Sequence, residues 1–175
     1  LMTDRKPLPG KLAFSRDLFV LLFLLRGMPF VDLAFLRRCD LQGNVITYHR
    51  RKTSRKLTVV VGKEAMEIIQ KYMYAIPDSP YLFPIIQNPG KDEYGQYARM
   101  LRLQNYRLTQ VANILGIRDR LSTYTARHTW ATTALRQNYN SSLICDAMGH
   151  SSVKVTETYF QPYRDDEVNR MNSSL

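Results

Sequence analysis

The amino-acid sequence predicts a mainly α-helical domain with a small antiparallel β-sheet at its edge. Two observations carry that expectation. Several stretches set apolar residues at helical spacing behind a serine, threonine, asparagine or aspartate that can cap a helix. Two β-branched runs, Val45–Tyr48 and Leu57–Val61, flank a polar centre and read as a hairpin. A chain of 175 residues that is 45% hydrophobic has enough apolar material for one domain with one core.

From the N-terminus, Leu1 to Lys11 is polar, carries Pro7, Pro9 and Gly10, and reads as a linker. Ser15 or Asp17 can cap a helix running through Leu25. Its apolar run, Leu18 to Leu25, falls far short of the ~20 residues that span a bilayer, so it predicts a buried helix. No membrane segment or signal peptide is expected. Gly27 ends this helix, and Pro29 suits the first turn of the next, whose apolar side is Val31, Leu33, Ala34 and Leu36. Gln42-Gly43-Asn44 is a turn into the hairpin. Glu64 to Tyr74 is helical, with Met66, Ile69 and Met73 on one face. Ile76 to Gly90 carries Pro77, Pro80, Pro84 and Pro89 and reads as loop with one short turn. Tyr94 to Leu115 suits one long helix or two, closed by Gly116. Ser122 or Thr123 caps a helix that contains Arg127 and ends near Asn138. Asn140 or Ser141 caps a short helix to Met148. Ser151 or Ser152 caps a helix leading to Tyr159, which Pro162 stops. Tyr163 to Leu175 is polar and reads as a mobile tail.

The net charge of +10 favours a polyanionic partner. Much of the asymmetry lies around the hairpin, where Arg37, Arg38, Arg50, Arg51, Lys52, Arg55 and Lys56 face a single acid, Asp40. The loop reads as a phosphate-contacting element, against the plainer reading of a sheet edge protected by lysine and arginine. Arg99, Arg102 and Arg107 can line the same face or merely solvate the long helix. Cys39 and Cys145 are too few and too far apart for a metal motif or a disulfide framework, and both read as buried free thiols of a reducing cytoplasm.

The chemistry gathers between Tyr124 and Tyr159. Arginine, histidine and tyrosine recur there on three short elements joined by small-residue turns. Arg127 can clamp a phosphate with parallel hydrogen bonds. His150 follows a glycine and precedes a capped helix, where it can face an anion. A tyrosine hydroxyl can attack and form a covalent intermediate. Such a set suffices for phosphoryl transfer through a tyrosyl phosphate. A phenol with a pKa of ~10 then depends on cations around the phosphate, and no metal or other cofactor is expected. Tyr159 is favoured over Tyr163, which lies beyond Pro162.

Arg127-His128-Thr129, followed by Met148-Gly149-His150-Ser151-Ser152 and by a tyrosine nine residues after His150, resembles the catalytic core of the tyrosine recombinases, or phage-type integrases. The resemblance reaches upstream to about Phe14. Arg26-Gly27-Met28-Pro29-Phe30-Val31-Asp32-Leu33-Ala34 is most similar to integrases of Bacteroides-type mobile elements. The resemblance implies site-specific DNA strand exchange through a 3′-phosphotyrosyl link, without ATP, metal or net hydrolysis. It also implies a double-stranded DNA partner, and four protomers that exchange their tails on two DNA segments. A bacterial, cytoplasmic, nucleoid-associated setting follows from it. A linker remnant over 1–11, a catalytic domain over 12–162 and a tail over 163–175 are expected. The family's separate N-terminal DNA-clamping domain is absent from this chain, which implies a truncated chain behaving as a monomer.

Residue by residue, Tyr159 matches the nucleophile, Arg127 and His150 the phosphate site, and Lys52 the lysine that protonates the leaving 5′-oxygen, with Lys56 second. Arg50, Arg51, Arg55, Lys56 and Arg102 are the expected DNA contacts. His128 and Trp130 read as packing, and His49 as an ordinary strand residue. Two departures stand out. The family's His-x-x-Arg reads Tyr124-x-x-Arg127, and a tyrosine can donate a hydrogen bond to phosphate but cannot act as an imidazole base. The family's first arginine falls at Pro29, so a neighbour must replace it: Arg26 first, then Arg50 or Arg51. These departures keep two other readings open, a non-catalytic DNA-binding module and a type IB topoisomerase-like enzyme.

Overall fold

The computed structural model describes residues 6–160 and 165–174. Helix α1 (Gly10–Leu24) lies against α3, α4 and α5 and buries Leu18, Phe19, Val20, Leu21 and Leu22. It begins within the stretch expected to be linker and earlier than Ser15 or Asp17. Pro9, with φ fixed near the helical value, takes the cap position instead. Ser15 and Asp17 are buried inside the helix. Asp17 accepts hydrogen bonds from Lys71 at 2.8 Å, Tyr72 at 2.7 Å and Arg16 at 3.0 Å. Burial pushes its carboxyl up, but these bonds outweigh burial and hold it below the usual carboxylate range.

After α1 the chain turns through Arg26 and Gly27, both at positive φ, into the short helix α2 (Phe30–Ala34), with Pro29 at its cap. A 3-10 turn over Arg38–Asp40 leads to a three-stranded antiparallel sheet of β1 (Leu41–Gln42), β2 (Val45–His49) and β3 (Lys56–Val60) in that order. Val45 pairs with Val60, Ile46 with Val59, and Tyr48 with Leu57. This register turns Ile46, Tyr48 and Val59 inward. The hairpin is as expected; β1 adds a two-residue strand too short to show a period.

Helix α3 (Lys63–Tyr72) closes this half. The proline-rich stretch 76–90 is loop, as expected, yet it plants Tyr81, Leu82, Phe83, Ile85 and Ile86 in the core. Leu82 N–H donates to Leu36 O at 2.8 Å, which anchors that insertion. The long segment is one helix, α4 (Glu93–Leu115), between Asp92 and a left-handed Gly116. Helices α5 (Thr123–Arg136), α6 (Ser141–Met148) and α7 (Val153–Glu157) are capped by Ser122, Asn140 and Ser152. Two further expectations are corrected. Part of the supposed mobile tail is helix α8 (Asp165–Ser173), whose three acids in the first turn suit the positive end of a helix. Cys39 is exposed, whereas Cys145 is buried. Pro162 and Tyr163 lie outside the described residues. Among the described residues no helix is long and apolar enough to cross a membrane.

Candidate active site

Arg127 owes its position to the cap of α5. Ser122 Oγ accepts from Thr125 N–H at 3.3 Å, and Thr125 Oγ1 accepts from Ser122 N–H at 3.0 Å. This start puts Tyr124 on the exposed first turn and Arg127 one turn later, facing inward and 3% exposed. The Arg127 guanidinium donates to Gly27 O, to Met148 O at 3.0 Å and to His150 Nε2 at 2.6 Å. A guanidinium only donates, so Nε2 accepts and His150 carries its hydrogen on Nδ1, which donates to Thr156 Oγ1 at 2.8 Å. Burial, then the charges of Arg127, Arg50 and Lys52, push the His150 pKa down to about 3. His150 is therefore neutral at pH 7.

Arg50 follows β2 and is 6% exposed. Its Nη1 donates to Gly149 O at 2.7 Å and to Met148 O at 3.2 Å. Its Nε lies 3.6 Å from Asp32 Oδ2. Asp32 is itself buried and accepts from Arg51 N–H at 2.9 Å. Burial pushes its carboxyl up, against that amide and the nearby charges of Arg50 and Arg127. Burial and the charge of Arg50 likewise push the Arg127 guanidinium down. The hairpin loop is latched to the turn after α6, because Thr53 Oγ1 donates to Gly149 O and Arg55 Nη1 to His150 O, both at 3.3 Å. Arg55 also pairs with Asp146 at 3.0 Å.

Two glycines make this closeness possible. Both hold φ near +65°, and a Cβ on Gly27 would meet Arg127 Cα and Cγ at 3.2 Å. A Cβ on Gly149 would meet Leu57 Cδ1 at 2.8 Å and Arg50 Cδ at 2.9 Å.

Tyr159 lies two residues beyond the end of α7. Its ring sits between those of His128 and His150, with centroids 4.5 and 5.0 Å away. The Arg127 guanidinium carbon is 5.5 Å from the same ring centre. Arg50, Lys52, Tyr124, Arg127 and Tyr159 line one pocket of about 180 Å³, with Asp32, Phe30 and Tyr97 among its walls. Lys52 and Tyr124 are exposed at its rim. The Nε atoms of Arg50 and Arg127 are buried and have no hydrogen-bond partner among the described residues.

The remaining expected DNA contacts are spread more widely. Arg51 stacks on Phe35, 3.9 Å from the ring centre, Lys56 opens β3 on an exposed face, and Arg102 is exposed on α4. Arg26 is not brought to the pocket. It takes the left-handed turn that ends α1 and lines a separate groove with Phe23, Trp130 and Leu143. Sequence reasoning passed over Asp32, Thr132 and Thr156. The signal for Asp32 was a lone acid inside an apolar helix, which when buried demands a charged partner.

A mostly helical frame with a three-stranded antiparallel edge is the fold of the tyrosine recombinase catalytic domains. The chain belongs to the phage integrase family, whose profile matches residues 5–165. Tyrosine recombinase XerC of Thermodesulfovibrio yellowstonii is 26% identical over 167 residues, covering 87% of this chain and 52% of the relative. A tyrosine recombinase of Pseudothermotoga lettingae is 32% identical over 60 residues, covering 34% of this chain and 21% of the relative. The chain thus spans about half the length of the first. Among solved structures, XerA recombinase aligns with a TM-score of 0.65 at 19% identity, over 98% of this chain and 64% of that one. XerH recombinase on its palindromic difH substrate, in a post-cleavage complex, aligns at 0.67 and 17%, over 97% and 48%. Tn1549 transposon integrase with circular intermediate DNA aligns at 0.64 and 18%, over 98% and 66%.

Proposed function

We propose that the protein cuts and rejoins double-stranded DNA at specific sites through a 3′-phosphotyrosyl intermediate. One observation carries the reading: two buried guanidinium side chains, Arg50 and Arg127, line one pocket together with Tyr159 and the exposed Lys52. Guanidinium groups give strong charge-assisted hydrogen bonds to phosphate oxygens, so this pair suits the non-bridging oxygens of a phosphodiester. Two paired charges in a dry site also stabilise the pentacoordinate phosphorus, because they need no reorganisation as charge develops.

In this reading Tyr159 Oη releases its proton to solvent as it attacks the phosphorus, and the bond to the 5′-oxygen breaks. Lys52 at the rim delivers a proton to that oxygen. Neutral His150 accepts from Arg127 and so holds the clamp in place. Tyr124, also exposed at the rim, can add a hydrogen bond to the phosphate. Arg50, rather than Arg26, replaces the arginine that the family places at Pro29. The new ester conserves the energy of the old bond, so a second 5′-hydroxyl can reverse the attack and rejoin strands. Strand exchange between two duplexes fits four protomers, and the wording around Gly27 to Ala34 supports kinship with integrases of Bacteroides-type mobile elements.

The test is a nicked duplex that loses its 5′-hydroxyl fragment after cleavage and so traps the adduct. The full-length protein is expected to become attached to the DNA 3′ end through Tyr159. Tyr159→Phe removes the hydroxyl alone and should abolish attachment while DNA binding survives. An adduct that persists in Tyr159→Phe overturns the assignment. DNA binding without any adduct in the wild type favours a non-catalytic DNA-binding module.

A further inference from the structure

Tyr159 is held by its backbone as well as by its ring. Helix α7 ends at Glu157, so Tyr159 lies beyond its last turn. Two side chains of α5 hold its carbonyl. His128 Nδ1 lies 3.2 Å from Tyr159 O, and Thr132 Oγ1 donates to the same oxygen at 3.3 Å. A carbonyl only accepts, so Nδ1 of His128 carries its hydrogen. The two residues are four apart, on one face of α5. The helix that presents Arg127 therefore also grips the residue bearing the nucleophilic hydroxyl. The His128 ring adds a wall, 4.5 Å from the phenol.

We infer that His128 and Thr132 are positioning residues: a two-donor clamp on the main chain of Tyr159 that sets the hydroxyl in line with a phosphate held by Arg127. The phosphate clamp and the clamp on the nucleophile then share one rigid helix, which fixes their separation. Such a device acts on the rate of attack and leaves DNA affinity alone, since neither residue needs to touch the substrate.

The inference rests on Tyr159 being the nucleophile, and the experiment separates the two claims. Single-turnover attachment to the nicked duplex is measured at saturating DNA in the full-length protein, alongside DNA affinity and the melting temperature. His128→Phe keeps a ring and loses the donor, whereas His128→Asn keeps a donor near the Nδ1 position. His128→Phe should attach about tenfold more slowly through misplacement of the hydroxyl. His128→Asn should recover most of that loss. Thr132→Val should be slowed and Thr132→Ser should not. With both donors gone, His128→Phe/Thr132→Val should fall on the order of a hundredfold. Wild-type rates in His128→Phe and Thr132→Val, failure of the Asn and Ser variants to recover, or a parallel loss of DNA affinity would each overturn the clamp. If His128→Phe melts too early to assay, the Thr132 pair decides alone. If Tyr159→Phe still forms an adduct, the assigned nucleophile is wrong; if it does not and the donor variants react normally, only the clamp fails.

Discussion

At the scale of single residues, the pocket is a problem in placing positive charge. Arg50 sits close enough for its charge to be felt by Arg127, and both are nearly excluded from water. Removing a preorganised donor of this kind costs on the order of 10²–10³ in rate, so Arg50→Ala should cut single-turnover attachment by that factor. Arg26→Ala should leave attachment near wild type, because Arg26 faces another groove. A large loss in Arg26→Ala with a small one in Arg50→Ala would reverse the assignment. The sequence could rank these arginines only by nearness to Pro29. Arg50 reaches the site through contacts with Met148 and Gly149, some hundred residues away, and no local pattern announces such a meeting. The meeting of Tyr159, Arg127 and His150 was legible because their motifs lie close in the sequence. His150 also carries a pH signature. Its folded pKa of about 3 lies below its ordinary value near 6.5, so between those values the unfolded chain binds more protons. Its contribution is complete above about pH 6.5 and is lost as pH falls, at up to about 1.4 kcal/mol per pH unit. His150→Gln keeps an acceptor for Arg127 and cannot titrate. Denaturant unfolding at pH 7.5 and 5 should show a shallower pH dependence in that variant, and an unchanged one would mean that His150 takes up its proton equally readily in the folded and unfolded chain.

At the scale of elements, the hairpin loop and the turn after α6 are one unit. Thr53, Arg50 and Arg55 all donate to carbonyls of that turn. Gly149 is the point of contact, at φ +64° with no room for a methyl group between Leu57 and Arg50. Gly149→Ala should cost at least about 1–2 kcal/mol for the left-handed backbone and should also slow attachment by displacing Arg50. Gly43→Ala is the control: φ is +61°, but nothing lies within 4 Å, so only the backbone cost should appear. Equal effects of the two substitutions on attachment would remove the steric argument. Element starts were legible where a cap is a local bond, as at Ser122, Asn140 and Ser152. They were misread at Ser15 and Asp17, residues of capping type that tertiary packing places inside a helix. The prolines of 76–90 announced a loop, yet only the folded chain reveals that this loop supplies Phe83, Ile85 and Ile86 to the core.

At the scale of the whole molecule, the pocket lies where the sheet-bearing half meets α5 to α7, and the +10 charge acts over the surface around it. The core of the first half is large and apolar, while the second holds a smaller cluster around Ala131, Ile144 and Met148. The hairpin loop and the buried arginines join the two halves through polar contacts. Charge of this kind is readable from composition, because its sign and concentration do not depend on the fold. Its consequence for binding follows from counterion release. Each phosphate neutralised by a lysine or arginine releases condensed cations, and affinity then falls with salt in proportion to the number of contacts. Lys52 at the rim, with Arg51, Lys56 and Arg102 on nearby surfaces, gives a contact number at which affinity drops on the order of 10²-fold between ~50 and ~200 mM salt. The drop should be similar on unrelated duplexes, since these side chains meet phosphates rather than base edges. Lys56→Ala and Arg102→Ala should each lower the slope of log affinity against log salt by about 0.9, whereas Tyr159→Phe should leave it unchanged. Fluorescence anisotropy over that salt range measures the slope. A flat dependence, or slopes that Lys56→Ala and Arg102→Ala do not alter, would mean that the duplex lies across another face.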